Sequence, residues 1–123
     1  MKCVLSGSFQ KSYEAMLTAR EILEKAQIQV LSPSNSEITN PGDTFALLAS
    51  DTTTDILSLE QKHLDAISRA DFLYIYNPEG YIGTSTAMEI GWAYALHKRI
   101  YCLTTPTDAM LACFVTVRPL ENF

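Results

Sequence analysis

One acidic residue, Glu89, lies in a stretch of the sequence that is otherwise apolar or rich in glycine. It follows a turn that contains Gly80 and Gly83, and its neighbours Met88 and Ile90 are apolar. Early in a helix, free backbone N–H groups and the positive end of the helix dipole stabilise a carboxylate. Such a group stays ionised and can bind a ligand or act as a nucleophile. The structural alternative is an exposed glutamate that only interacts with the helix dipole.

The residues around Glu89 predict the elements that position it. Residues 71–77, DFLYIYN, form an apolar and aromatic run typical of a strand buried on both faces. After the glycine turn, the hydroxyl residues 84–86 are expected to cap a helix that ends at the basic residues 97–99. A second buried strand over 100–103 completes a β-turn-α-β unit. The apolar residues of the predicted helix are Met88, Ile90, Trp92, Ala93, Ala95 and Leu96.

This strand, turn and helix together predict an anion site. Backbone N–H groups at the helix start point into the crevice beyond the strand, where open α/β sheets bind ligands. Neither GxGxxG nor GxxxxGK[ST] is present, so the anion is expected to be a monophosphate, or the ligand a cluster of sugar hydroxyls. A similar arrangement occurs at the start of the chain, where a strand over 2–6 leads into the turn Ser6, Gly7 and Ser8. Two such turns side by side make a pocket.

The rest of the chain predicts a sheet of five strands between helices. Helices are expected over about 11–26 and 55–69 and a short one near 109–111, with strands over 28–31 and 114–117. Because helical crossovers are right-handed, the expected fold is α/β, with a mainly parallel sheet in the order 2-1-3-4-5. This is a Rossmann-like (flavodoxin-like) three-layer sandwich.

The composition is that of a folded, acidic protein. Of the 123 residues, 47% are hydrophobic and 19% charged, which excludes a largely disordered chain. A chain of this length predicts one domain over residues 1–123. With a net charge of −5, the chain offers no basic surface for a nucleic acid polymer, although backbone dipoles can hold one small phosphate. A free nucleotide therefore suits it better than DNA or RNA.

Cysteine usage and hydropathy predict a reduced, cytoplasmic protein. Cys3, Cys102 and Cys113 lie in or beside apolar runs, without CxxC or His/Cys spacing, and are expected to be reduced core residues. No apolar segment reaches the roughly 20 residues of a membrane span, and no signal-peptide pattern is present. We therefore expect no membrane association, no metal and no cofactor.

The segment 34–54 is the least regular part of the sequence. It is rich in Ser, Asn, Pro, Gly and Thr, and it follows the second predicted strand on the crevice side. A loop of this length is either a lid, in which Asp43 and Phe45 could reach a base, or a solvated loop anchored by Phe45.

Three motifs carry a resemblance to a known family. The runs NPEGYIGTSTAMEIGWAYAL, LSGSF and HLDAISRADFLYIYN resemble the nucleoside 2-deoxyribosyltransferase-like family, which includes the 2′-deoxynucleoside 5′-monophosphate N-glycosidases. In that family the glutamate of the MEIG motif is the nucleophile that attacks the anomeric carbon of the sugar. The resemblance therefore implies that Glu89 is catalytic and that the reaction breaks an N-glycosidic bond.

His63 is the second catalytic candidate, and it departs from the family pattern. Family members usually carry an aspartate at the matching position. A histidine, with a reference pKa of about 6.5, could donate a proton to the leaving base but could not act as a second carboxylate. The structural alternative is a surface or capping histidine. Asp65 is expected to face solvent, and His97 to interact with the dipole at the end of its helix.

The resemblance also implies which residues surround the sugar and its 5′ group. Tyr13 could touch the sugar, although an aromatic residue on an apolar helix face is more often core, and Asn77 could fix the turn. The hydroxyls of Thr84, Ser85 and Thr86 could recognise a phosphate or only cap the helix. The predicted binding residues are Ser6, Gly7, Ser8, Phe9, Tyr13, Asn77, Gly80, Tyr81, Gly83, Thr84 and Ser85.

The sequence supports three functional hypotheses. The first is an enzyme that cleaves or transfers the base of a (deoxy)nucleoside or its 5′-monophosphate. The second is a nucleotide-binding or sensing module in which Glu89 binds ribose hydroxyls. The third is a domain that binds FMN, for which SGSFQKS is a poor phosphate loop. A homodimer or larger assembly is also expected, because so small a core does not readily enclose Trp92, Tyr94, Phe114 and Phe123.

Overall fold

A computed structural model of the protein describes residues 1–7, 9–33 and 55–123, with backbone only for 9–12. Ser8, the side chain of Phe9, and the segment 34–54 with Asp43 and Phe45 lie outside the described residues. The strands are β1 (Lys2–Gly7), β2 (Gln29–Ser32), β3 (Phe72–Tyr76), β4 (Arg99–Cys102) and β5 (Thr116–Val117). The helices are α1 (Phe9–Lys25), α2 (Ile56–Arg69), α3 (Thr84–Ala95) and α4 (Ala109–Ala112), followed by a 3-10 turn at Leu120–Asn122.

The five strands form one parallel sheet in the order β2-β1-β3-β4-β5, which confirms the predicted topology. β1 and β3 are central, and the apolar runs that predicted them are buried on both faces of the sheet. Their register pairs Ser6 with Ile75 and Gly7 with Tyr76, so both strands end together. The predicted edge strand over 114–117 is reduced to two exposed residues.

Alternate side chains of the central strands form a core on each face of the sheet, which gives the three predicted layers. On one face, side chains of β1 and β3 pack against Met16, Ala19 and Leu23 of α1. On the other face, α2 and α3 cover the sheet through their small and branched apolar residues. This second core consists mainly of Val4, Ala66, Ile67, Leu73, Ile75, Ile90 and Ala93.

Phe123 belongs to the first core and is not an exposed aromatic residue. Its ring stacks on Phe72 with centroids 5.4 Å apart, and it meets the edges of Tyr74 and Tyr101. The guanidinium of Arg118 lies 3.8 Å from the ring centroid. The prediction that Phe123 exceeds the capacity of the core is therefore wrong.

Several apolar residues of α2 and α3 are exposed to solvent. In α3, Met88 and Trp92 are exposed, as are Ala95 and Leu96 just beyond them. In α2, the apolar pattern predicts that Ile56 and Leu57 face inward, and this prediction is wrong because both are exposed. Polar side chains occupy part of the buried face of each helix, because α2 and α3 contact each other beside the sheet. The buried residues of α3 are Thr86, Glu89, Ile90 and Ala93, and those of α2 are Glu60, Ala66 and Ile67.

Two further expectations need correction. Gly83 is the N-cap of α3 and no side-chain hydrogen bond caps this helix, so the predicted capping by residues 84–86 is wrong. Cys3 and Cys102 are buried free thiols as expected, but Cys113 is exposed. Of the helices described, none is long and apolar enough to cross a membrane.

Candidate functional site

Two glycines allow the carboxyl ends of the central strands to approach their neighbours. Gly7 ends β1 with φ of 152°, and a Cβ atom there would lie 2.5 Å from the carbonyl oxygen of Tyr76. Gly80 has φ of 83°, and a Cβ atom would lie 2.9 Å from the carbonyl oxygen of Thr105. Real Cβ atoms do not approach oxygen so closely, so both positions require glycine. The end of β1 and the glycine turn are thereby held in place.

Asn77 fixes the glycine turn to the end of β4. Its Oδ1 accepts hydrogen bonds from the backbone N–H groups of Leu103 and Thr104, both at 3.1 Å, and its Nδ2 donates to the Thr104 carbonyl at 2.7 Å. Gly80 is buried, donates its N–H to Asn77 and accepts from the N–H of Thr107. Asn77 and Gly80 therefore build the turn, and contact of either with a substrate stays a prediction.

Glu89 lies in the second turn of α3 and points into the protein. The residue is only 4% exposed. Its Oε1 accepts a hydrogen bond of 2.6 Å from the hydroxyl of Ser6 and lies 3.4 Å from Nε2 of His63. The alternative of an exposed glutamate that only interacts with the helix dipole is therefore wrong.

His63 connects Glu89 to the end of β2. Its Nε2 lies 3.2 Å from the hydroxyl oxygen of Ser6, and its Nδ1 lies 2.6 Å from that of Ser32. Ser6 uses its one proton on Glu89, so Nε2 must carry the hydrogen of the bond to Ser6. Nδ1 can accept from Ser32 when the ring is neutral and donate to it when the ring is protonated. The alternative of a surface or capping histidine is therefore wrong.

The electrostatics of the site separate two carboxyl groups. Burial raises the pKa of Glu89, but the charge of protonated His63 and hydrogen bonds from His63, Glu60 and Ser6 lower it below its usual value. Glu60, in α2, is 8% exposed. Its pKa is raised to about 9, chiefly by burial and further by its hydrogen bond to Glu89 and the charge of that group. The pKa values of the two carboxyl groups are therefore shifted in opposite directions.

Sequence reasoning missed Glu60 and Ser32. Glu60 lies one helical turn before His63, and this spacing is a usable signal because residues three apart share a helix face. Ser32 ends β2, next to β1 in the sheet, and Val4 pairs with it in register. A search for polar residues at the ends of all predicted strands would have found Ser32.

The structure brings three of the predicted site residues into contact with one another. Ser6, His63 and Glu89 form the contact group. Tyr81, Thr84 and Ser85 are exposed, and Gly7, Gly83 and Tyr13 are partly buried. Asp65 and His97 are exposed and remain outside the group, as expected. Within the described ranges, no three His, Cys, Asp or Glu side chains are arranged to hold a metal ion.

Comparisons with known proteins agree with this architecture. The family described as Nucleoside 2-deoxyribosyltransferase matches residues 5–120. A CMP N-glycosidase of Clostridium botulinum superposes with a TM-score of 0.62 at 16% identity, covering 97% of this chain and 86% of that one. A 2-deoxyribosyltransferase of Bacillus psychrosaccharolyticus gives 0.68 at 16% identity, with 99% and 89% covered.

A third structure, a conserved protein from Enterococcus faecalis, gives a TM-score of 0.53 at 18% identity and covers 87% of this chain and 65% of that one. Curated protein sequences yield no match. At such low identity the superpositions show a common fold, whereas the family match extends over nearly the whole sequence. The chain therefore belongs to the nucleoside 2-deoxyribosyltransferase family.

Proposed function

We propose that the protein cleaves or transfers the N-glycosidic bond of a (deoxy)nucleoside or its 5′-monophosphate, with Glu89 as the nucleophile. The observation that carries this proposal is the carboxylate of Glu89, buried at the start of α3 and held by Ser6 and His63. A carboxylate with a lowered pKa is ionised at neutral pH and is oriented before a substrate arrives. The family supports glycosyl chemistry in general.

In the proposed reaction, a carboxylate oxygen of Glu89 forms a bond to C1′ of the sugar as the C1′–N bond breaks. The electron pair of that bond leaves with the base. Water or a second base then attacks C1′, gives its proton to His63, which is neutral after the first step, and releases the Glu89 carboxylate, so that hydrolysis or transfer results. Chain residues alone perform these steps, with no cofactor.

We assign His63 to the proton that the leaving base needs. Its Nε2–H is engaged by Ser6 beside Glu89, so the proton would leave from Nδ1 through the hydroxyl of Ser32. Ser32 receives this proton on oxygen and passes its own to the base. The short Nδ1 to Oγ distance of 2.6 Å supports this route.

The remaining predicted residues are proposed to bind the sugar and its 5′ group. Tyr81, Thr84 and Ser85 are exposed at the start of α3, where a 5′ group could reach them. Gly7 and Tyr13 lie on the β1 and α1 side. The partner is proposed to be a small nucleoside or nucleotide and not a nucleic acid polymer. The protein is also proposed to act in the cytoplasm.

The central test is base release by Glu89→Gln. The amide cannot form the glycosyl ester, so single-turnover release of base should fall at least about 1000-fold while nucleotide binding remains. Free base is measured by chromatography over a panel of nucleosides and 5′-monophosphates, with and without a second base as acceptor. Intact-protein mass spectrometry of quenched mixtures should detect the glycosyl adduct in the wild type.

The matched control is Glu79→Gln, which changes an exposed glutamate of the neighbouring turn and should leave the rate unchanged. Circular dichroism and thermal unfolding establish that both variants fold. Activity of Glu89→Gln within a few-fold of the wild type would remove the nucleophile assignment. Nucleotide binding without base release by the wild type would favour the binding-module hypothesis.

The role of His63 is tested with a base that needs no proton. His63→Gln should lose most activity towards neutral bases but retain more of it towards 2′-deoxy-7-methylguanosine, whose base is already positively charged. Ser32→Ala should show the same selectivity in weaker form. An equal loss with both kinds of base would show that His63 acts only by holding Glu89.

A further inference from the structure

Glu60 and Glu89 form a pair of buried carboxyl groups on two helices that pack together. Glu60 is 8% exposed and Glu89 is 4% exposed. α2 and α3 are in contact, and a hydrogen bond between the two carboxyl groups is among the causes that raise the pKa of Glu60 and lower that of Glu89. Two carboxyl groups can make this bond only if one of them carries a proton, since carboxylate oxygens are acceptors alone.

The surroundings of the two groups decide which of them is protonated. Glu89 receives the hydroxyl of Ser6 and lies beside His63, so its negative charge is stabilised. Oε1 of Glu60 is buried and has no hydrogen-bond partner among the described residues. Among the described residues, no donor compensates a negative charge on this oxygen, whereas Glu89 has Ser6 and His63, so the proton belongs on Glu60.

Three elements pack against α2, the helix that carries Glu60: α3, β1 and β2. α3 contributes Glu89, the strongest electrostatic influence on Glu60, and α2 itself contributes His63 one turn later. β1 and β2 contribute Ser6 and Ser32, whose hydroxyls bond to His63 and do not titrate. Burial and Glu89 together raise the pKa of Glu60 to about 9, which agrees with the geometry.

We propose that Glu60 is a positioning residue that stays protonated at neutral pH and donates a hydrogen bond to Glu89. Its catalytic consequence rests on the proposed function, in which Glu89 attacks the sugar. This hydrogen bond orients the Glu89 carboxylate before attack. It also stabilises the negative charge that returns to Glu89 when the glycosyl ester breaks. The proton remains on Glu60 throughout, while the C1′–O bond forms and the C1′–N electron pair leaves with the base. Ionised Glu60 would instead repel Glu89, so activity should fall when Glu60 loses its proton.

Infrared spectroscopy tests the protonation without any activity assay. The wild type should show a carboxylic acid C=O band at neutral pH that disappears as the pH rises through about 9. Glu60→Gln should lack this band. Absence of the band from the wild type, or its persistence in Glu60→Gln, would overturn the proposal. The wild-type titration stands by itself if the variant does not fold.

The pH dependence of kcat tests the consequence for catalysis. Glu60→Gln keeps an N–H donor that cannot ionise, so it should retain activity but lose the alkaline fall of the wild type. Glu60→Leu has no donor and should lower kcat about 10- to 100-fold with little change in KM. The control is Asp65→Asn, an exposed acid of the same helix, which should keep the wild-type profile.

These two readouts separate the failure of this inference from that of the proposed function. If Glu89→Gln remains active while the acid band titrates as expected, the nucleophile assignment fails and the protonated Glu60 stands. If Glu89→Gln is inactive but Glu60→Gln shows an unchanged alkaline fall, the positioning role of Glu60 is wrong. A merely structural role would lower stability without altering the pH profile.

Discussion

The hydroxyl of Ser6 serves two neighbours at once. It donates to Glu89 and accepts from His63, and the residue is 1% exposed. A buried hydroxyl in this position can orient both groups without contacting a substrate. Ser6, predicted as a binding residue, is therefore expected to act through Glu89.

Replacing Ser6 with alanine removes one of the hydrogen bonds that lower the pKa of Glu89. In Ser6→Ala this pKa should rise towards its usual value, so the acid limb of the activity profile should move to higher pH. Glu89 stabilises the fold above its unfolded pKa of 4.5, and that stability is lost as the pH falls. Ser6→Ala should therefore lose less stability on acidification, measured by urea unfolding. Ser68→Ala, whose hydroxyl bonds the Asp65 carbonyl, is the control and should follow the wild type.

Glu60 should affect stability in the opposite direction. Its pKa is about 9 in the folded protein and 4.5 as an ordinary glutamate, so between these values only the folded state holds the proton. This stabilisation is complete below the unfolded pKa and is lost as the pH rises through about 9. The urea midpoint of the wild type should fall relative to that of Glu60→Gln over this range. Parallel curves for the two proteins would contradict the raised pKa.

At the scale of elements, Gly7 is expected to be indispensable to the junction of β1 and β3. Gly7→Ala would bring a Cβ atom against the Tyr76 carbonyl and force a strained backbone, and should destabilise the protein by about 1–3 kcal/mol or more. Gly91→Ala is the control, because a Cβ atom there meets nothing within 4 Å. Gly91 is an exposed helical residue, so this change should stabilise by about 0.4–1 kcal/mol. Chemical unfolding compares the two, and an equal response would refute the close-approach argument.

The sequence predicted whole elements better than the faces they bury. The run 71–77 and the glycine turn specify β3 and the start of α3 because buried strands and tight turns have local signatures. The face of α2 or α3 that is buried depends on how the neighbouring helix packs against it. A local sequence pattern holds no information about this packing. Apolar periodicity therefore placed Ile56 and Leu57 inward, although both are exposed.

The site residues that belong to a sequence motif were predictable. Those that join the site only through tertiary contacts were not. Glu89 stands out as an acid in an apolar helix, and His63 was found because it occupies the position where the family usually carries an aspartate. Glu60 looks like any outward-facing charge on a helix until α3 is placed beside it. Ser32 becomes a site residue only through the register of β2 with β1.

On the whole-molecule scale, α3 and the segment around α4 carry several large apolar side chains that are exposed. Trp92 is 42% exposed, Tyr94 58% and Phe114 40%, and the rings of Tyr94 and Phe114 pack edge to face with centroids 4.9 Å apart. Exposed Met88 and Met110 belong to the same elements. A surface of this kind is typical of an interface, and we propose that it joins copies of this chain.

Light scattering at micromolar concentration should therefore give the mass of a dimer or larger assembly. Tyr94→Glu and Phe114→Glu place a charge in the proposed interface and should shift the mass towards that of the monomer. Ile22→Glu, an equally simple change on α1 across the sheet, should leave the assembly intact. A wild-type monomer would end this proposal, and dissociation by the α1 variant alone would move the interface to that face.

The bonds of Asn77 also have a thermodynamic consequence for ligand binding. Because its amide already holds the backbone at Leu103 and Thr104, the floor of the turn is ordered in the free protein. A ligand that binds at this turn does not have to order its backbone. Ordering the backbone of one residue on binding otherwise costs roughly 1–2 kcal/mol of conformational entropy. Because this entropy cost is avoided, the contacts of even a small ligand with the turn contribute more fully to its affinity.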